Sequence, residues 1–223
     1  MSKSVSEVPA IDLGDVIAPP IRASNLTRSI FHLASALFAL ALLHLLPSRA
    51  WLIGVSAAFA ISAWTMEIAR RRSPAVNDRL MALFSPVAHP HERHRVNSST
   101  WYVSALLMLA IAAPRPAAEV GVLVLGVADP VAGLVGRRFG RTRLVAGRSL
   151  EGSTGFVVAG ALVAGGWLAA TTALPLPSLA VVAFAGALVG ALAELGSTRL
   201  DDNFTIPLSV TAAVAIAEKL MGA

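Results

Sequence analysis

Cysteine is absent from this 223-residue chain, which excludes disulfides, thiolate zinc sites and cysteine nucleophiles. Charge is scarce: 14% of residues are charged, against about 25% in an ordinary soluble domain. That scarcity argues against both a soluble globular enzyme and a disordered interaction tail. Neither G-x-x-x-x-G-K-[ST] nor G-x-G-x-x-G occurs, so an ATP P-loop and a dinucleotide-binding fold are without support. No tandem repeat is visible. The run His89-Pro90-His91-Glu92-Arg93-His94 offers H-E-x-H where a zinc protease needs H-E-x-x-H, and it reads as a solvated loop.

What the chain has in abundance is apolar: 56% hydrophobic residues and a mean hydropathy of +0.70. The fold class this implies is all-α, a polytopic integral membrane helical bundle lodged in the lipid bilayer. Residues 1–28 mix charge, Ser and Pro19-Pro20; they are too long and too acidic for a signal-peptide n-region and are expected to form a cytosolic tail. Residues 29–223 are expected to form a single membrane domain of about seven transmembrane helices, over roughly 29–46, 51–69, 100–113, 117–136, 153–174, 177–196 and 204–220. The third is short for a core about 30 Å thick. Pro47, Pro114, Pro116, Pro175 and Pro177 punctuate the breaks.

With seven spans, fifteen of the eighteen Lys and Arg residues fall on the side of the amino terminus and only Arg49, Arg115 and Lys219 on the other. Positive residues in short loops stay cytosolic, so the amino terminus is expected in the cytosol. The formal net charge of +5 therefore reflects orientation, and no nucleic-acid partner is expected.

Ionisable groups inside apolar segments are costly and are seldom kept without use. His32, Glu67, Asp129 and Glu194 are such groups, and the topology gathers all four toward the cytosolic side. Asp129, Gly133, Gly136 and Gly140 are spaced by four, three and four, so one helical face carries a carboxylate beside bare backbone. Small-residue helix packing accounts for the glycines alone. It does not account for the carboxylate, for the five arginines between 137 and 148, or for Arg148-Ser149-Leu150-Glu151-Gly152-Ser153 opening the next helix, where free N–H groups suit phosphate. Asp201-Asp202-Asn203, downstream of Glu194, supplies hard oxygen ligands suited to Mg²⁺ on phosphates.

These residues give the chain, from about 28 to 215, a resemblance to the CTP-dependent lipid-alcohol kinases, the family of dolichol, phytol, farnesol and yeast-type diacylglycerol kinases. The resemblance is carried by Arg28 before His32, by Glu67 with Arg70, and by Glu92 before Thr100 and Tyr102. More specific are the stretch from Asp129 to Ser153 and the Asp-Asn-x-Thr-x-Pro of Asp202 to Pro207. Two positions depart from the pattern: Ala128 stands where the family has Gly, and Arg148 where it has Lys. The resemblance implies transfer of the γ-phosphoryl of CTP to the hydroxyl of a membrane lipid alcohol. It implies Mg²⁺ on Asp129 and Asp202, with Glu194 or Asp201 in support. Gly133, Gly136, Arg138, Arg148, Ser149, Glu151, Gly152 and Asn203 are expected around the triphosphate, and His32 or Glu92 is expected to take the alcohol proton. A phosphatidate cytidylyltransferase and a small membrane transporter are the alternative readings.

Overall fold

The computed structural model describes residues 25–84 and 90–222. Among them are eight α-helices and no β-strand: α1 (Asn25–Leu45), α2 (Arg49–Arg72), α3 (Pro74–Leu83), α4 (Ser98–Ala112), α5 (Arg115–Phe139), α6 (Leu150–Thr171), α7 (Leu176–Gly196) and α8 (Asp202–Leu220). The expected tail lies outside the described residues up to position 24, and α1 already begins at Asn25, ahead of the expected boundary. Each of the seven apolar segments is a helix. α1, α2, α5, α6 and α7 are long and apolar enough to cross a membrane by length and composition; α4 is short, and α8 opens on two polar residues, Asp202 and Asn203. The chain is a multi-pass membrane protein.

α3 lies in a stretch that reads from sequence as a loop. Its start is encoded locally: the Ser73 hydroxyl accepts from the Val76 N–H, and Pro74 occupies the first turn, where a missing N–H costs nothing. Caps of the same kind begin the helices that carry the site. The Asn97 side chain accepts from Ser99 N at 2.9 Å, the Ser149 hydroxyl from Gly152 N at 3.1 Å, and the Asp201 carboxylate from Asn203 N at 3.0 Å.

α5 is the axis of the bundle and packs against α6, α8 and α1; α6 and α8 each pack on α7, and α2 reaches the rest through α4. The main core joins Val120, Val124, Leu125 and Ala128 of α5 to Phe156, Val182, Ile206, Val210 and Val214, all nearly solvent-free. Close approach depends on small residues. A Cβ on Gly121 of α5 would collide with Thr211 Oγ1 and lie 2.6 Å from the Pro207 carbonyl oxygen of α8, which is backbone and cannot swing aside. Gly121→Ala is therefore expected to destabilise the protein by about 1–3 kcal/mol, the usual effect of overpacking. Gly54→Ala on α2, where a Cβ meets nothing within 4 Å, is the control that should not lower the unfolding midpoint in detergent.

At the end of the bundle away from the Asp129 half of α5, a buried carboxylate ties three helices. Glu119 of α5 accepts from Arg115 Nε at 2.9 Å and from the indole of Trp167 on α6 at 3.0 Å, and it lies 3.2 Å from His44 Nε2 of α1. Arg49 of α2 bonds the terminal carbonyls of Ala110, Ile111 and Ala113, groups that α4 cannot satisfy internally. This end is consumed in holding helices together.

Candidate functional site

The opposite end is hollow. A polar cavity of about 960 Å³ is walled by Asp129, Gly133 and Arg137 of α5, by Arg148 of the α5–α6 loop, and by the Ser197–Asp202 connection between α7 and α8. Arg28 and His32 of α1, Arg71 of α2 and the His94–Arg95 segment complete it. Beside it lies an apolar chamber of about 390 Å³ between α1, α2 and α4. Arg28, His32 and Ser98 line both.

The loop between α5 and α6 turns back on itself through Ala146 and Gly147, both at positive φ, and is clasped by Leu144 N to Arg148 O at 2.8 Å. Glu151 steadies it by accepting from Thr142 N. The turn delivers Arg148 to the cavity, where its guanidinium pairs with Glu194 and, at 2.9 Å, with Asp202. Burial works against the charge on Arg148, but the carboxylates of Glu194 and Asp202 outweigh it and raise its pKa above the ordinary value. Asp201 accepts from Asn203 through one oxygen and from the Ser98 hydroxyl at 2.9 Å through the other. Burial, reinforced by the charge of Asp202, pushes the Asp201 carboxyl above its usual range.

His32 stands at the seam of the two hollows, with Nδ1 4.0 Å from Asp129 Oδ2. Glu92, buried in the turn Pro90–Arg93, is committed elsewhere: it accepts from Asn97 Nδ2 at 2.6 Å and from the Ser98 N–H at 3.4 Å. A second buried carboxylate, Glu67, fixes this segment from below. It holds Arg70 through both oxygens, binds Arg71 at 2.6 Å and accepts from Asn97 N, while Arg70 bonds the carbonyls of Arg93 and Arg95.

The expected residues thus divide. Asp129, Gly133, Arg148, Asp201, Asp202 and His32 meet on the polar cavity, and Glu92 and Asn203 border the apolar one. Glu194 is buried behind Arg148, one of its oxygens without a partner. Gly136 and Gly152 do not face the cavity: they form the close contact of α5 with α6, a Cβ on Gly152 falling 3.0 Å from the Ala132 carbonyl oxygen. Ser149 is spent on its own helix cap; Arg137 and Arg138 are both exposed, but Arg138 lies with its guanidinium over the Phe139 ring while Arg137 lines the cavity. The single helical face that the spacing suggests is really two: positions 129, 133 and 137 line the cavity, and 136 and 140 abut Ser149. Sequence marks Arg28 only as a neighbour of His32; here it lines both hollows, with one guanidinium nitrogen buried and unpartnered. Ser98 carries no sequence signal of its own, and Arg137 only that of the arginine-rich stretch after α5.

Among the described residues no three His, Asp or Glu side chains form a group that could hold a metal ion alone. Mg²⁺ does not require one, since it is usually held by one or two carboxylates together with substrate phosphates. Asp129 and Asp202 on the cavity wall are two carboxylates that would suit such a site.

No family model matches the chain, and no solved structure does. Among characterised proteins it is similar to CTP-dependent diacylglycerol kinase 1 of Schizosaccharomyces pombe, at 28% identity over 197 residues that span 82% of this chain and 89% of that protein. The match supports a family relationship with the CTP-dependent lipid kinases, phosphotransferases with an alcohol acceptor.

Proposed function

We propose that the protein transfers the γ-phosphoryl group of CTP to the hydroxyl of a lipid alcohol dissolved in the membrane. The observation that carries this reading is the junction of a charged cavity with an apolar chamber at Arg28, His32 and Ser98. A hydrophilic donor and a lipid acceptor meet where such compartments adjoin. The name of the similar protein supports CTP as donor and a diacylglycerol-like acceptor.

Phosphoryl transfer asks a protein mainly for alignment and for neutralisation of spread negative charge. Arg28, Arg137 and Arg148 supply cations around the cavity, and Asp129 and Asp202 would hold Mg²⁺. When bound, the ion screens the phosphate oxygens. The acceptor oxygen forms a bond to the γ-phosphorus as the bond to the β-phosphate oxygen breaks, and CDP leaves. The imidazole of His32, at the seam, takes the hydroxyl proton. Glu92 positions Ser98 by accepting from its N–H and from the Asn97 side chain. The arginine-rich loops that surround the cavity support a cytosolic location for it, with the amino terminus.

The test uses purified protein in detergent with Mg²⁺, CTP labelled at either the α or the γ phosphate, and diacylglycerol, polyprenol, phytol, farnesol and phosphatidate. Label from the γ position is expected in the lipid fraction, and the labelled species identifies the acceptor. Label from the α position would instead mark a cytidylyltransferase and overturn the assignment, as would absence of both.

A further inference from the structure

α1 and α2 are consecutive and joined by only three residues, Leu46–Ser48, yet they scarcely pack on each other. α1 leans on α5, and α2 leans on α4 and α3. The apolar chamber fills the gap that this splay leaves. Its rim is aromatic: Phe31 and Phe38 on α1, Phe59 on α2 and Phe84 after α3 all line it and are each 40–54% exposed. These rings therefore face the chamber and the outside of the bundle at once. Across the gap, Phe38 and Phe59 meet edge to face, with ring centroids 6.1 Å apart and planes at 89°. A single aromatic pair of this kind is a weak bond between two helices that otherwise barely touch.

We propose that the space between α1 and α2 is the lateral entrance for the acceptor's tail, and that Phe38 and Phe59 are its gate and set which tails are accepted. This rests on the kinase reading above and goes beyond it. The occupant follows from continuity, because the chamber ends at the His32 seam where the acceptor hydroxyl must sit. Phe38 is six residues below His32, about 9 Å along the helix axis at 1.5 Å per residue. The first part of the tail, roughly that long, lies inside, against Val103 and Leu106 of α4. The remainder of the tail passes between the two rings into lipid. The gate therefore reads the bulk of the tail close to the hydroxyl and is indifferent to its full length.

The absence of native cysteine makes a direct test available. In the double variant Phe38→Cys/Phe59→Cys a short bismaleimide joins α1 to α2. The linked protein is expected to lose at least tenfold in transfer to long-chain lipid alcohols while binding labelled CTP with unchanged affinity. A second variant, Phe38→Ala/Phe59→Ala, widens the slot and should shift kcat/KM toward branched prenols relative to straight-chain diacylglycerol by about tenfold, with the KM for CTP unmoved. Linked protein that works at the unlinked rate, or an unchanged acceptor ratio, overturns the gate. A diacylglycerol carrying a diazirine in its acyl chain reads the slot without turnover. Photolabel is expected on the facing sides of α1 and α2 and should vanish on linking. Labelling elsewhere refutes the entrance even in an active enzyme, and slot labelling in a protein that transfers no γ-phosphate refutes the kinase reading alone.

Discussion

An Asp129→Asn protein is expected to transfer γ-phosphate from CTP about 10²–10³-fold more slowly than the parent, the scale on which loss of one preorganised electrostatic group slows a reaction. Asp129 lies on the cavity wall, within electrostatic reach of Asp202, Glu194 and Arg148, and 4.0 Å from His32. The amide retains the shape and removes the charge, so fold and lipid binding should survive while divalent-ion dependence weakens. Asp202→Asn should behave in the same way, with one further effect: Arg148 loses one of its two carboxylate partners. The measurements are single-turnover rates with γ-labelled CTP across a Mg²⁺ titration, with a chelator as baseline. Full turnover in either variant would remove the two aspartates from the metal site.

The second large effect is on stability. Glu67 is 2% exposed and holds Arg70 through both oxygens, Arg71 through one, and the N–H of Asn97. Arg70 is itself buried. Removing one partner of a buried pair leaves an uncompensated charge, at a cost of about 3–5 kcal/mol. Glu67→Ala is expected to lower the unfolding midpoint in detergent accordingly and to release the Arg93–Asn97 segment, so that activity falls through misplacement of Glu92 and Ser98. Glu67→Gln, which keeps part of the hydrogen bonding, should fall between. A Glu67→Ala protein as stable as the parent would mean that Arg70 finds its partners elsewhere.

The helices were legible in the sequence because apolar length is local information. All seven apolar segments are helical, and the prolines at 114, 116, 175 and 177 stand at helix boundaries. α3 has no long apolar run to announce it, although Ser73-Pro74 carries its start in the open. The site was legible where one helix or one turn contains it: Asp129 with Gly133, and Asp201 with Asp202. It was illegible where side chains converge from distant elements. Nothing near Ser98 announces that its hydroxyl will reach Asp201, 103 residues onward. Nor does spacing alone say which of Arg137 and Arg138 lines the cavity. That depends on α6, which claims positions 136 and 140 and leaves 129, 133 and 137 to the cavity. Arg148, expected on the nucleotide, sits between two of the expected metal carboxylates, a pairing that only the folded loop reveals.

The two hollows share Arg28, His32 and Ser98 and otherwise draw on different residues. The charged one takes Asp129, Gly133 and Arg137 from α5, Arg148 and the Ser197–Asp202 connection from the turns flanking α6 and α8, and Arg28 and His32 from α1; the apolar one lies chiefly between α1, α2 and α4, is also lined by Leu125, Gly126 and Asn203, and has a half-exposed aromatic rim. Under the function proposed above, the two halves of the reaction are separable in evolution. Exchanges at the aromatic rim, away from Arg28 and His32, can retune the acceptor without disturbing the donor machinery, because the rim is half exposed and lies outside the main core. One donor half can in this way serve a succession of lipids, and drift at the rim positions of α1 and α2 is where descendants of such a protein would part company in substrate while remaining alike in chemistry.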